Sequence, residues 1–83
     1  MNWTENNNKL NRKFEFKTFK DALSFMVRCG FEIEDLNHHP TWTNTYNKIE
    51  VSLTTHDTGN TVTEKDFQLA ERMDDIYTKH YKQ

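Results

Sequence analysis

Cysteine is almost missing from this chain of 83 residues: Cys29 stands alone, so no disulfide can close within it. A lone thiol without a secretory leader points to a reducing, cytoplasmic compartment. Cys29 itself reads as a small buried apolar residue rather than a reactive thiol. A surplus of positive charge is missing too. Eleven Lys and Arg stand against 13 Asp and Glu, for a formal net charge of −2. That balance argues against nucleic acid as a partner, because phosphate backbones select concentrated positive charge. No apolar run approaches the roughly 18 residues that suggest a membrane span. The length allows one domain, spanning residues 1–83, with a modest core. A small polar chain gains core by self-association, so an oligomer is expected.

Aromatic residues and periodic pattern are present in its place. Mean hydropathy is low, −1.03. Yet six Phe, three Tyr and two Trp at regular spacings exclude a disordered chain. Residues 1–11 are polar, with an asparagine run at 6–8, and read either as an edge strand and turn or as a mobile stretch. Residues 13–16 alternate apolar and polar and predict a strand. Thr18 followed by Asp21 is an approximate capping box. It opens a helix whose apolar stripe is Phe19, Ala22, Leu23, Met26 and Val27. Gly30 marks where that helix could end or loosen, with a strand-like segment at Phe31 and Ile33. Trp42, Asn44 and Tyr46 alternate, as do Ile49, Val51 and Leu53. Asn47-Lys48 between them predicts a hairpin turn. Thr63 with Asp66 opens a last helix, to about Lys79, with Phe67, Ala70, Met73 and Tyr77 as its stripe. The fold class is α+β: a four-stranded antiparallel sheet with two helices on one face.

Acid–base chemistry is suggested by the histidines. His38 and His39 are adjacent in a connection ended by Pro40, and His56 follows the last strand. Imidazole titrates near neutral pH and passes protons at little energetic cost. Neighbouring residues in extended chain point to opposite sides, so His38 and His39 meet one ligand only where Pro40 bends the path. Adjacent histidines are poor joint metal ligands, and neither HxH nor HxxxH occurs, so no metal site is expected. His80, near a helix C-terminus, carries no assigned role.

Spacing adds to this. Glu34, His38-His39-Pro40, Tyr46, His56 and Asp66 fall at the fixed points of a known signature. Asn37-His38-His39-Pro40-Thr41-Trp42, Tyr46-Asn47-Lys48-Ile49, Leu53-Thr54-Thr55-His56 and Phe14-Glu15-Phe16-Lys17-Thr18-Phe19 agree with its flanking segments. The chain resembles the pterin-4a-carbinolamine dehydratase (DCoH-like) family over nearly its whole length. That resemblance implies removal of water from 4a-hydroxytetrahydrobiopterin, giving quinonoid dihydrobiopterin in tetrahydrobiopterin recycling. It implies no cofactor, and a homodimer or homotetramer. By resemblance His38, His39 and His56 are the catalytic residues. Pro40, Trp42 and Asp66 are the substrate-binding candidates, Trp42 either packing or walling the ring. For Asp66 a local reading stands beside this one, as cap of the last helix. Glu34 reads as a structural partner. The helix that relatives carry before the tryptophan matched by Trp3 is expected to be missing. Val62 fills the place of a leucine before the last helix. A non-catalytic dimerisation or partner-binding module of the same fold is the alternative function.

Overall fold

The computed structural model describes residues 2–81. In chain order the elements are β1 (Thr4–Asn6), β2 (Lys9–Glu15), α1 (Phe19–Leu36), β3 (Thr41–Thr45), β4 (Lys48–Leu53), a short 3-10 turn (His56–Thr58) and α2 (Glu64–His80). The strands form one antiparallel sheet in the order β1-β2-β4-β3. Both helices lie on the same face, giving the expected α+β architecture.

The polar N-terminal stretch is a hairpin. Asn7 and Asn8 have φ of 54° and 61°, the pair of left-handed conformations that a tight primed turn needs and asparagine tolerates. The asparagine run is therefore turn chemistry. The strand after it begins at Lys9, earlier than the alternation at residues 13–16 indicates, and brings Leu10 into the core. Register stacks Leu10 beside Leu53 and Phe14 beside Ile49. The second hairpin turns at Tyr46, φ 51°, one residue before the Asn47-Lys48 expected from sequence. Asn47 has a tertiary role instead: its Nδ2 donates to Phe16 O at 2.7 Å, and its carbonyl accepts from Phe16 N at 2.9 Å. This pins the hairpin to the entry of α1.

Thr18 Oγ1 accepts from Asp21 N at 3.2 Å and starts α1. The helix runs through Gly30 to Leu36, so the expected break at residue 30 and strand at 31–33 do not occur. A helical glycine costs about 1 kcal/mol, whereas burying Ile33 contributes about 1.5–3 kcal/mol. The helix ends at Asn37, φ 50°, whose N–H reaches back to Glu34 O and Ile33 O.

The buried stripe of α1 is Ala22, Phe25, Cys29 and Ile33. It overlaps the sequence-derived stripe only at Ala22, with Met26 half-buried beside it. Phe19, Leu23 and Val27 are exposed, and Phe31 continues that outer row at 72% exposure. α2 buries Leu69, Ala70 and Met73, with Ile76 and Tyr77 packed against the core. Phe67 stays 38% exposed.

Rings hold the centre. Phe14 and Phe25 lie 4.7 Å apart, and Phe16 meets Tyr77 edge-on at 5.3 Å, arrangements that add to simple area burial. Arg72 on α2 donates to Glu32 and Asp35 on α1 at 2.9 and 2.8 Å, tying the helices at the end nearest the His38 loop.

Candidate active site

Three chain segments meet beyond one end of the sheet. The connection after α1 carries His38, His39 and Pro40. The chain leaving β4 carries Thr54, Thr55, His56 and Asp57, and the first turn of α2 brings Lys65 and Asp66. His38, His39, Pro40 and His56 line one pocket of about 320 Å³, at the lower end of the range for small-molecule sites.

The two adjacent histidines differ sharply. His38 is 9% exposed, with its backbone N–H bonded to Ile33 O at 3.3 Å. The left-handed Asn37 turns the chain so that this ring points inward. His38 Nε2 lies 2.6 Å from Asp66 Oδ1. His39 is exposed on the pocket rim. The bend at residues 37–40 thus lets neighbouring side chains reach one cavity from different depths.

Asp66 is fully buried yet fully bonded. Its Oδ2 accepts from Thr55 Oγ1 at 2.8 Å and from Thr63 N at 2.8 Å. The second bond caps α2, and the Oδ1 contact holds His38. Of the two readings of Asp66 from sequence, the helix cap is present at Oδ2; Oδ1 faces His38, and Asp66 itself does not line the pocket. Burying a carboxylate is tolerable only with such compensation.

His56 lies in the 3-10 turn, exposed, with Nδ1 2.7 Å from Asn60 Oδ1. An amide oxygen only accepts, so His56 Nδ1 carries the proton and Nε2 is left for a ligand. Asn60 can make this contact because it adopts φ 64°, following Gly59 at φ 79°.

Trp42 is not brought to the pocket. It is half-buried, paired with Val51 and packed against the core, since its place in the β3 alternation turns it toward the helices. Glu34 is exposed and contributes only its carbonyl to the end of α1. Sequence reasoning passed over Lys65, Thr55 and Asn60. Their signals were adjacency to Asp66, adjacency to His56, and the turn-forming run after His56.

A larger hollow of about 460 Å³ lies on the open sheet face, lined by Asn11, Lys13, Thr41, Thr43, Glu50 and Ser52 among others. Lys13 and Glu50 are register partners there, and no imidazole lines it. Chemistry, not volume, selects the histidine pocket.

Residues 1–76 match the family described as pterin 4 alpha carbinolamine dehydratase. A protein of Opitutus terrae named "putative pterin-4-alpha-carbinolamine dehydratase" is 47% identical over 74 residues, 89% of this chain and 76% of that protein. One of the same name from Rhizobium meliloti is 54% identical over 63 residues, 76% of this chain and 60% of its own length. Among solved structures, a transcriptional coactivator/pterin dehydratase from Brucella melitensis is 39% identical with a TM-score of 0.86, covering 90% of this chain and 81% of that one. A pterin dehydratase-like protein identified as a RuBisCO assembly factor in the alpha-carboxysome is 19% identical with a TM-score of 0.77, a likeness of fold alone. The sheet, the two helices and the extent of these matches lead to one assignment: this chain belongs to the pterin 4 alpha carbinolamine dehydratase family.

Proposed function

We propose that this chain removes water from a pterin-4a-carbinolamine, 4a-hydroxytetrahydrobiopterin, giving the quinonoid dihydropterin as a step in tetrahydrobiopterin recycling. The observation that carries this reading is the convergence of His38, His39 and His56 on one pocket, with His38 held by the buried Asp66.

Hydroxide is a poor leaving group. The C4a–O bond breaks readily only when an acid delivers a proton to the departing oxygen, so that neutral water leaves. The lone pair of the adjacent ring nitrogen forms the new C=N bond, and that nitrogen gives its proton to a base. Both roles suit groups titrating near neutrality. A carboxylate at 2.6 Å orients His38 Nε2–H toward itself, so His38 presents Nδ1 to the pocket while His56 presents Nε2. The exposed His39 lines the same pocket, and Pro40 shapes the loop that carries it.

Synthetic carbinolamine followed by stopped-flow absorbance tests this. Wild type is expected to accelerate dehydration, with His38→Ala and His39→Ala each losing about 10²-fold or more in kcat. Unaltered turnover in both variants removes the acid–base roles. A folded but silent wild type favours a second reading, a partner-binding module, whose support is the exposed row Phe19, Leu23, Val27 and Phe31 on α1. We read the same row as a surface for self-association into a homodimer or homotetramer.

A further inference from the structure

We propose that Thr55 is a positioning residue that sets the His38 imidazole through Asp66 and registers it against His56. Thr55 is 5% exposed, and its hydroxyl donates to Asp66 Oδ2 at 2.8 Å. Thr63 Oγ1 lies 2.6 Å from Thr55 Oγ1. A threonine hydroxyl has one proton to give. That of Thr55 is spent on Asp66, so Thr63 supplies the proton between the two hydroxyls. The result is a directed chain from Thr63 through Thr55 to one carboxylate oxygen, with His38 on the other. None of these groups retains rotational freedom once the chain is formed.

The backbone of Thr55 is held as firmly. Its N–H donates to Thr61 O at 2.9 Å. Its carbonyl accepts from Thr58 Oγ1 at 3.0 Å and from Asn60 N at 3.1 Å. Thr55 is therefore the one residue bonded to its chain neighbour His56 and linked by hydrogen bonds through Asp66 to His38. Although it lines the pocket, its hydroxyl is engaged by Asp66 and Thr63, so its part is to hold other groups. It fixes where two of the pocket's imidazoles stand relative to one another, which a reaction needing simultaneous proton donation and acceptance requires. The kinetic consequence rests on the dehydratase reading; the structural one does not.

Thr55→Val keeps the volume and removes the hydroxyl, and Thr55→Ser keeps the hydroxyl. In 15N-labelled protein the His38 Nε2–H resonance is expected far downfield and slow to exchange in wild type and Thr55→Ser. In Thr55→Val it shifts or is lost to exchange. With the carbinolamine, Thr55→Val is expected to lose about tenfold in kcat with KM within twofold, and Thr55→Ser to recover most of the loss. An unchanged His38 signal in folded Thr55→Val overturns the proposal. So does a changed signal with unaltered kcat in an active wild type. If Thr55→Val does not fold, the wild-type Thr55 hydroxyl proton decides: exchange as fast as that of an exposed threonine overturns the proposal, and slow exchange together with Thr55→Ser activity supports it. An inactive wild type defeats the dehydratase reading, and the His38 signal alone then judges Thr55.

Discussion

At the scale of single residues, burial sets chemistry. Cys29 has no exposed surface, and its thiol is pushed up from 9.0 to about 12, first by loss of water and then by the negative charge of Glu32. The neutral thiol is the form the fold accepts. Because the folded value lies above the unfolded one, the resulting stability is fully present below pH 9 and is lost as pH rises toward 12. Denaturant unfolding of wild type is expected to weaken across that window, and Cys29→Ala to weaken less; equal slopes would contradict it. At pH 8 a thiol reagent is expected to label Cys29 only as fast as the protein opens. Asp66 shows the opposite use of burial. It is bonded on both oxygens, so one side chain ends a helix and holds a ring. The capping role was legible from Thr63 and Asp66 three residues apart. The contact with His38, 28 positions away, was not legible; the family resemblance placed Asp66 only among the substrate-binding candidates.

At the scale of elements, the connection after α1 decides whether the histidines can act together. Asn37 holds φ 50°, where a β-carbon costs about 1–2 kcal/mol unless the residue is Gly or Asn. Asn37→Ala is expected to lower unfolding free energy by about 1 kcal/mol, while Asn37→Gly stays within a few tenths. Chemical denaturation with far-UV circular dichroism measures both, and equal losses would show that the left-handed turn is not what matters. α1 also shows how far periodicity reaches. Its apolar residues occupy two sides, an inner stripe through Phe25 and Cys29 and an outer one through Leu23 and Val27. Helical spacing identifies a stripe but not which of two faces the sheet. The inner one contains Gly30's neighbour Cys29 and continues to Ile33 past the expected stop, because tertiary burial outweighs one glycine.

At the scale of the whole molecule, a core built by 83 residues leaves a thin margin of stability. On the proposed reading of the outer row of α1 as a self-association surface, a second copy adds to that margin. The midpoint of thermal unfolding is then expected to rise with protein concentration over a hundredfold range. Leu23→Asp is expected to abolish that rise while keeping the far-UV spectrum at low temperature. A concentration-independent midpoint together with a monomer by sedimentation would refute self-association. Among the described residues no helix is long and apolar enough to cross a membrane.

Local chemistry was determined by the sequence alone. Strand alternation, the Thr18 and Thr63 helix starts and the second hairpin to within one residue follow from side-chain period and backbone preference, which act over a few residues. The spacing of His38, His39, His56 and Asp66 also marked the family. The tertiary structure alone decided which face of α1 is buried, that Trp42 packs inward, that Thr55 and Lys65 line the pocket, and that Asn60 holds the His56 ring. Those outcomes depend on segments distant in sequence meeting in space, and short-range periodicity contains no term for such meetings.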